Sequence, residues 1–138
     1  MSDKSWESLQ PLRIPSGWTI GINKFENIEP NELAEDDERW LYTFTEDILW
    51  IYRTNQRKKN KQVEEQNLAI DLGWYPDGAP TGSFRLVAIL NDNWAEPLLE
   101  FSSRSKQEVV KMMEQWLFQD FMPPYFIEED TFRKRGLG

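Results

Sequence analysis

"IDLGWYPDGAPTGSFRLV", residues 70–87, decides the fold. Ile70, Leu72 and Trp74 alternate with Asp71 and Gly73, and the pattern extends back to Leu68 and Ala69. Downstream, Phe84, Leu86, Ala88 and Leu90 recur at every second position. A period of two marks a strand that buries one face, so two strands are predicted, with Leu68, Ile70, Leu72 and Trp74 inward and Asp71 outward. Between them lie Pro76-Asp77-Gly78 and Thr81-Gly82. Proline presets φ and glycine accepts a positive φ, so the segment turns the chain back as a hairpin with a longer than minimal loop.

Working outward, "EDILWIYRT" (46–54) is rich in strand formers. Ile48, Trp50 and Tyr52 share one face, Leu49, Ile51 and Arg53 the other, which predicts an inner strand. The preceding "RWLYTF" (39–44) is expected as a pairing neighbour or an extended lead-in. "NQRKKNKQVEEQN" (55–67) is polar throughout and reads as a solvated connection or the tip of a long hairpin. "PSGWTIGINKF" (15–25) gives a further half-buried strand with Trp18, Ile20 and Ile22 on one face, and one helical turn is expected after Pro30. After the turn "NDNWAEP", "LLEFSSR" (98–104) is a last strand. Ser105 and Glu108 then have the spacing of a capping box, and Val109, Met112, Met113, Trp116 and Leu117 mark a helix from Lys106 to about Gln119. Pro123 and Pro124 end it, and Arg133, Lys134 and Arg135 close the chain as a frayed tail. The fold class predicted is α+β: a meander-like antiparallel sheet of about five strands backed by a C-terminal helix, in one domain over 1–138 with flexible extremities.

Composition narrows the chemistry. The 138 residues include no histidine and no cysteine, which excludes disulfides, thiolate or imidazole catalysis and ordinary zinc sites. No phosphate-cradling glycine motif is present. Without a signal-like start or a long apolar run, a soluble cytoplasmic protein is expected. The net charge of −8 disfavours nucleic acid and suits a basic partner. The run Arg57, Lys58, Lys59, Lys61 is read as a solvated loop rather than a nucleic-acid patch.

Candidate residues follow by elimination. Asp71 and Asp77 would be the carboxylate pair of a glycosidase-like site, but turn chemistry accounts for Asp77 and strand alternation for Asp71. The acids at 35–38 and 46–47 lack the ligand spacing of an EF-hand, so no metal and no cofactor are predicted. Trp18, Trp50, Trp74 and Trp116 fall at positions expected to face inward. Trp40, Tyr42, Tyr75 and Trp94 fall in loops or at edges beside acids, the composition of an apolar anchor with charges steering around it. Between Glu26 and Asp47 nine acidic residues accompany a single Arg39. The predicted partner surface therefore comprises Glu35, Asp36, Asp37, Glu38, Trp40, Tyr42, Glu46 and Asp47, with Tyr75, Asp77 and Trp94.

"LRIPSGWTIGINKF" (12–25), "LAIDLGWYPDG" (68–78) and "LLEFSSRSKQEVVKMMEQWL" (98–117), together roughly a third of the chain, resemble segments of the immunity proteins of bacterial polymorphic toxin systems, including contact-dependent growth inhibition. The resemblance implies a protein without catalytic role that binds a cognate toxin domain, often a nuclease, and blocks its active site. It carries over no individual residue. Rival readings are a carboxylate-dependent enzyme or metal-binding protein using the acids at 35–38 and 46–47, and an accessory subunit of a stable complex.

Overall fold

Five strands lie side by side in the order they occur in the chain, every neighbouring pair antiparallel. They are β1 (Thr19–Asn23), β2 (Leu49–Lys59), β3 (Gln62–Tyr75), β4 (Ser83–Leu90) and β5 (Leu99–Ser103), joined by two helices, α1 (Trp40–Thr43) and α2 (Lys106–Phe118). The computed structural model describes residues 8–59 and 61–118. The predicted helix end at Gln119, the stop at Pro123 and Pro124, the basic tail and the first seven residues lie outside them. The α+β meander with a C-terminal helix against β4 and β5 is the architecture observed.

Register assigns the two faces. Leu49, Leu72, Leu86 and Phe101 form one cross-strand row, and Ile51, Ile70, Ala88 and Leu99 the next. These rows meet Val109, Met113 and Trp116 of α2, so the inner face becomes the core. A helix that offers an apolar stripe at 3.6-residue spacing can bury it only against such a face. Residues before β2 complete the core with Phe25, Trp40 and Phe44, whose rings stack toward Trp74 and Phe84 (Trp40–Phe44 4.7 Å, Phe44–Trp74 4.8 Å, Trp74–Phe84 5.0 Å between centroids). Trp50, Asp71, Val87 and Glu100 form a row on the opposite, outer face.

The start of α2 is held by more than its own capping box. The Glu108 amide donates to Ser105 Oγ (3.2 Å), but the Glu108 carboxylate accepts from Ser103 Oγ (2.7 Å), which itself accepts from the Ser105 amide (2.9 Å). The Glu29 carboxylate accepts from the amides of Lys106 (2.7 Å) and Gln107 (3.2 Å), so a residue distant in sequence satisfies two of the helix's free donors. Lys106 is buried, and its ammonium donates to Gln10 and to Asn27 Oδ1 (2.7 Å).

Three expectations are corrected. Residues 40–43 form α1 and not extended chain, because helical spacing is what turns Trp40, Thr43 and Phe44 inward together. Of the two readings of the polar run 55–67, the long hairpin is the one observed: the run continues β2 and β3 as a paired arm, since pairing between two strands requires no buried face. Trp50 lies on the outer face and is 37% exposed. Both faces of β2 are apolar, so only its register with β3 decides which one meets the core. Ile20 stands opposite Ile51 and Ile22 opposite Trp50, with a bulge between them, so the two isoleucines do not share a face. After Pro30, a single 3-10 turn (Pro30–Glu32) occupies the place of the expected helical turn.

Candidate protein-binding surface

The chain entering β2 is tied to the end of β3 and to the turn that follows it by four hydrogen bonds. The Gly78 amide donates to Phe44 O (2.7 Å), Trp74 to Thr45 O (2.8 Å) and Ile48 to Leu72 O (3.0 Å). The Glu46 amide donates to Asp77 Oδ1 (2.7 Å). Gly73 makes this approach possible. A Cβ there would stand 2.2 Å from the Glu46 carbonyl oxygen and 2.8 Å from the Tyr75 ring. Gly78 adopts a positive φ of 68°, and a Cβ on it would meet Leu41 Cδ2 at 3.2 Å, so α1 rests on the turn. Backbone chemistry thus gathers Leu41, Tyr42, Glu46, Asp47, Tyr75 and Asp77 at one corner of the sheet.

Electrostatics are consistent with a negative corner. Burial on the outer face, reinforced by the negative charge of Asp47 and opposed by Arg85, pushes the Asp71 carboxyl up from 3.8 to about 6. The Arg85 guanidinium donates to Glu100 Oε1 (3.0 Å). The Tyr75 phenol is raised, first by burial and then by the charges of Asp71 and Glu46. Ionising either group places another negative charge beside existing ones, which the site resists.

The structure unites part of the predicted surface and disperses the rest. Tyr42 (69% exposed), Glu46, Asp47, Tyr75 and Asp77 belong to the corner. Trp40 does not serve as an exposed anchor: it is 3% exposed in the core, and its indole N–H donates to Ala34 O (2.8 Å). Trp94 is exposed but sits in the turn after β4. The eight residues of β4 place that turn roughly 20 Å from the corner. In the segment leading to α1, Asp37 pairs with Arg39 (2.8 Å), which holds its carboxyl below the ordinary range, while Glu35, Asp36 and Glu38 are exposed and unpaired among the described residues.

Several of the nine acids have internal partners. Glu26 accepts from the Thr43 hydroxyl, Glu29 caps α2, Glu32 accepts from the Glu29 amide (2.6 Å) and Asp37 holds Arg39. The charge excess available to a partner is therefore narrower than the sequence count and is carried by Glu35, Asp36, Glu38, Glu46 and Asp47. Sequence reasoning missed Leu41, which is 65% exposed beside Tyr42. The signal was present: if Trp40, Thr43 and Phe44 share the inner side of a helical turn, Leu41 and Tyr42 must point away.

Among the described residues no group of three or more acids is placed to hold a metal ion, and no helix is long and apolar enough to cross a membrane. Asp77 is committed to the Glu46 amide while Asp71 lies on the outer sheet face. Comparison with known protein families, curated proteins and solved structures finds no match. The likeness to immunity proteins therefore rests on the quoted residues alone.

Proposed function

We propose that the chain is an immunity protein, a binding protein that neutralises a basic toxin domain by covering its active site, with the corner as its main contact. The observation that carries this reading is the juxtaposition of exposed Leu41 and Tyr42 with Glu46, Asp47 and Asp77 on a backbone held rigid by four hydrogen bonds. Exposed apolar side chains ringed by charge of one sign combine an anchor with steering, and a pre-ordered backbone lowers the entropy lost on binding. The absence of histidine and cysteine agrees with inhibition by occupancy. The test is coexpression with the product of the neighbouring gene, once that product is shown to arrest growth on its own. The parent restores growth, and Leu41→Ala with Tyr42→Ala restores it poorly at equal protein level. Equal protection by both would place the contact elsewhere, and no protection by the parent would remove the reading.

One observation favours a second reading, a carboxylate-dependent enzyme. A carboxyl titrating at about 6 beside a tyrosine and an arginine, as Asp71 does, is poised for proton transfer near neutral pH. Hydrolytic turnover by purified protein that disappears in Asp71→Asn would support it.

A further inference from the structure

Helix α2 packs on the inner face of the sheet, and the outer face presents aromatic rings to solvent. Trp50 and Tyr75 are each 37% exposed there, and the Trp50 ring stands 5.1 Å from that of Tyr52. Two glycines set how these rings lie. A Cβ on Gly21 would come within 2.7 Å of Trp50, so that ring rests against the β1 backbone. A Cβ on Gly73 would come within 2.8 Å of Tyr75 Cε2, so the Tyr75 ring folds back along β3 toward Asp71. Asp71 itself stands directly opposite Trp50 on β2 and Val87 on β4, and the Cβ atoms of such facing residues are about 5 Å apart. Its carboxylate therefore lies between two partly exposed rings, one across the sheet and one along its own strand.

The charges around Asp71 do not balance it. It is half-buried and makes no hydrogen bond or ion pair among the described residues. From the chain entering β2 come Asp47 and Glu46, of the same sign. From β4 comes Arg85, which is drawn instead to Glu100 of β5 at 3.0 Å. Burial first, and then Asp47, raises the carboxyl from 3.8 to about 6. A carboxylate partly withdrawn from water without a partner costs stability, and an incoming cation offsets that cost.

We propose that Asp71, Trp50 and Tyr75 form a receptor for an arginine side chain of the partner protein. A cation within about 6 Å of a ring centroid is attracted by the π face. A guanidinium can lie along such a ring while its N–H edge meets a carboxylate through two parallel hydrogen bonds. An ammonium has no plane to stack, which favours arginine over lysine. Shielding from water makes a bond to Asp71 stronger than one to the exposed acids Glu35 and Asp36. This contact rests on the reading of the chain as a binder of a basic protein, and it adds to the corner a specific anchor on the adjoining sheet face. The plainer role for the same residues is to fill the outer face, with Asp71 as a solvated charge, and the test separates the two.

The probe is N-acetyl-arginine methylamide, titrated into the intact protein at neutral pH and low salt and followed by amide NMR. Saturable shifts centred on residues 50, 71 and 75 are expected with a Kd of about 10 mM, the scale of one charged side chain apart from its protein. The citrulline analogue, of the same shape without the charge, gives no saturable shift, and the lysine analogue binds more weakly than arginine. Asp71→Asn weakens binding at least about tenfold and Trp50→Ala about threefold, while Glu96→Gln in the turn after β4 binds as the parent does. The comparison of analogues uses the parent alone, so it tests the receptor whether or not a variant folds. No toxin is present, so a failed titration removes the receptor and leaves the binder reading to the coexpression test. Four outcomes would overturn the receptor: no saturable shift, equal binding of the citrulline or the lysine analogue, parental affinity in Asp71→Asn, or shifts confined to 35–47, which would place the arginine on the exposed acids instead.

Discussion

The same two strands, β2 and β3, end in opposite ways. At the corner they are fastened to the turn and to α1 by backbone hydrogen bonds, and the rings of Trp40, Phe44, Trp74 and Phe84 pack beneath them. At the other end they leave the sheet as a ribbon whose edges no other strand flanks among the described residues. One end is acidic and backed by the core; the other is a two-stranded pair. Pairing alone is enough to set backbone geometry, whereas a rigid recognition surface needs a core behind it.

The largest difference between the ends is expected in stability. Trp74 is fully buried, and its indole N–H donates to Ala79 O (2.7 Å). Trp74→Ala should cost about 3–5 kcal/mol and lower the melting temperature by at least about 10 °C. Val63→Ala on the ribbon should change stability by less than about 0.5 kcal/mol. Chemical denaturation of both variants checks the contrast, and similar losses would mean that the ribbon is packed against something.

The corner also illustrates what was legible in the sequence. The β3–β4 hairpin was legible because Leu68, Ile70, Leu72 and Trp74 keep strict alternation and Pro76-Asp77-Gly78 announces the turn. Helix α2 was legible through its apolar spacing. The side assigned to Trp50 was not, because β2 is apolar on both faces and its partner sets the choice. Nor was the convergence of Glu46 and Asp47 with Asp71 and Tyr75. It depends on Gly73 admitting a carbonyl from another segment, a contact that leaves no periodic trace. Trp40 was misplaced because four residues of helix are too short to display a period.

That glycine supplies the next prediction. Gly73→Ala would force a methyl against the Glu46 carbonyl, with a loss of about 1–3 kcal/mol, the range seen for overpacking. The loss should come with chemical-shift changes confined to 41–47 and 73–78, while the ribbon's signals stay in place. Spread of those changes to 54–67 would show that the two ends are coupled.

A smaller effect comes from Asp71. Its folded pKa is raised to about 6 from 3.8, so burial favours the protonated form. The stability contributed by that form is full below about pH 4 and is lost as pH rises through about 6. Asp71→Asn should remove this dependence and be more stable than the parent at pH 7, by about 1 kcal/mol after allowing for the screening of a partly exposed carboxyl. Denaturation midpoints at pH 4.5 and 7 measure it. A parent whose stability rises across that interval no less than that of Asp71→Asn would contradict the assignment.

The most direct test of the corner as a partner surface is the association rate with the proposed toxin partner, measured by stopped flow over a salt series for the parent and for Glu46→Lys with Asp47→Lys. Neither side chain is needed for the turn, since the hydrogen bonds there use the Glu46 backbone and Asp77. The variant should fold as the parent does, associate more slowly at low salt and lose most of the salt dependence, because steering by rim charges acts on the on-rate. Identical rates and identical salt slopes for the two proteins would contradict the account.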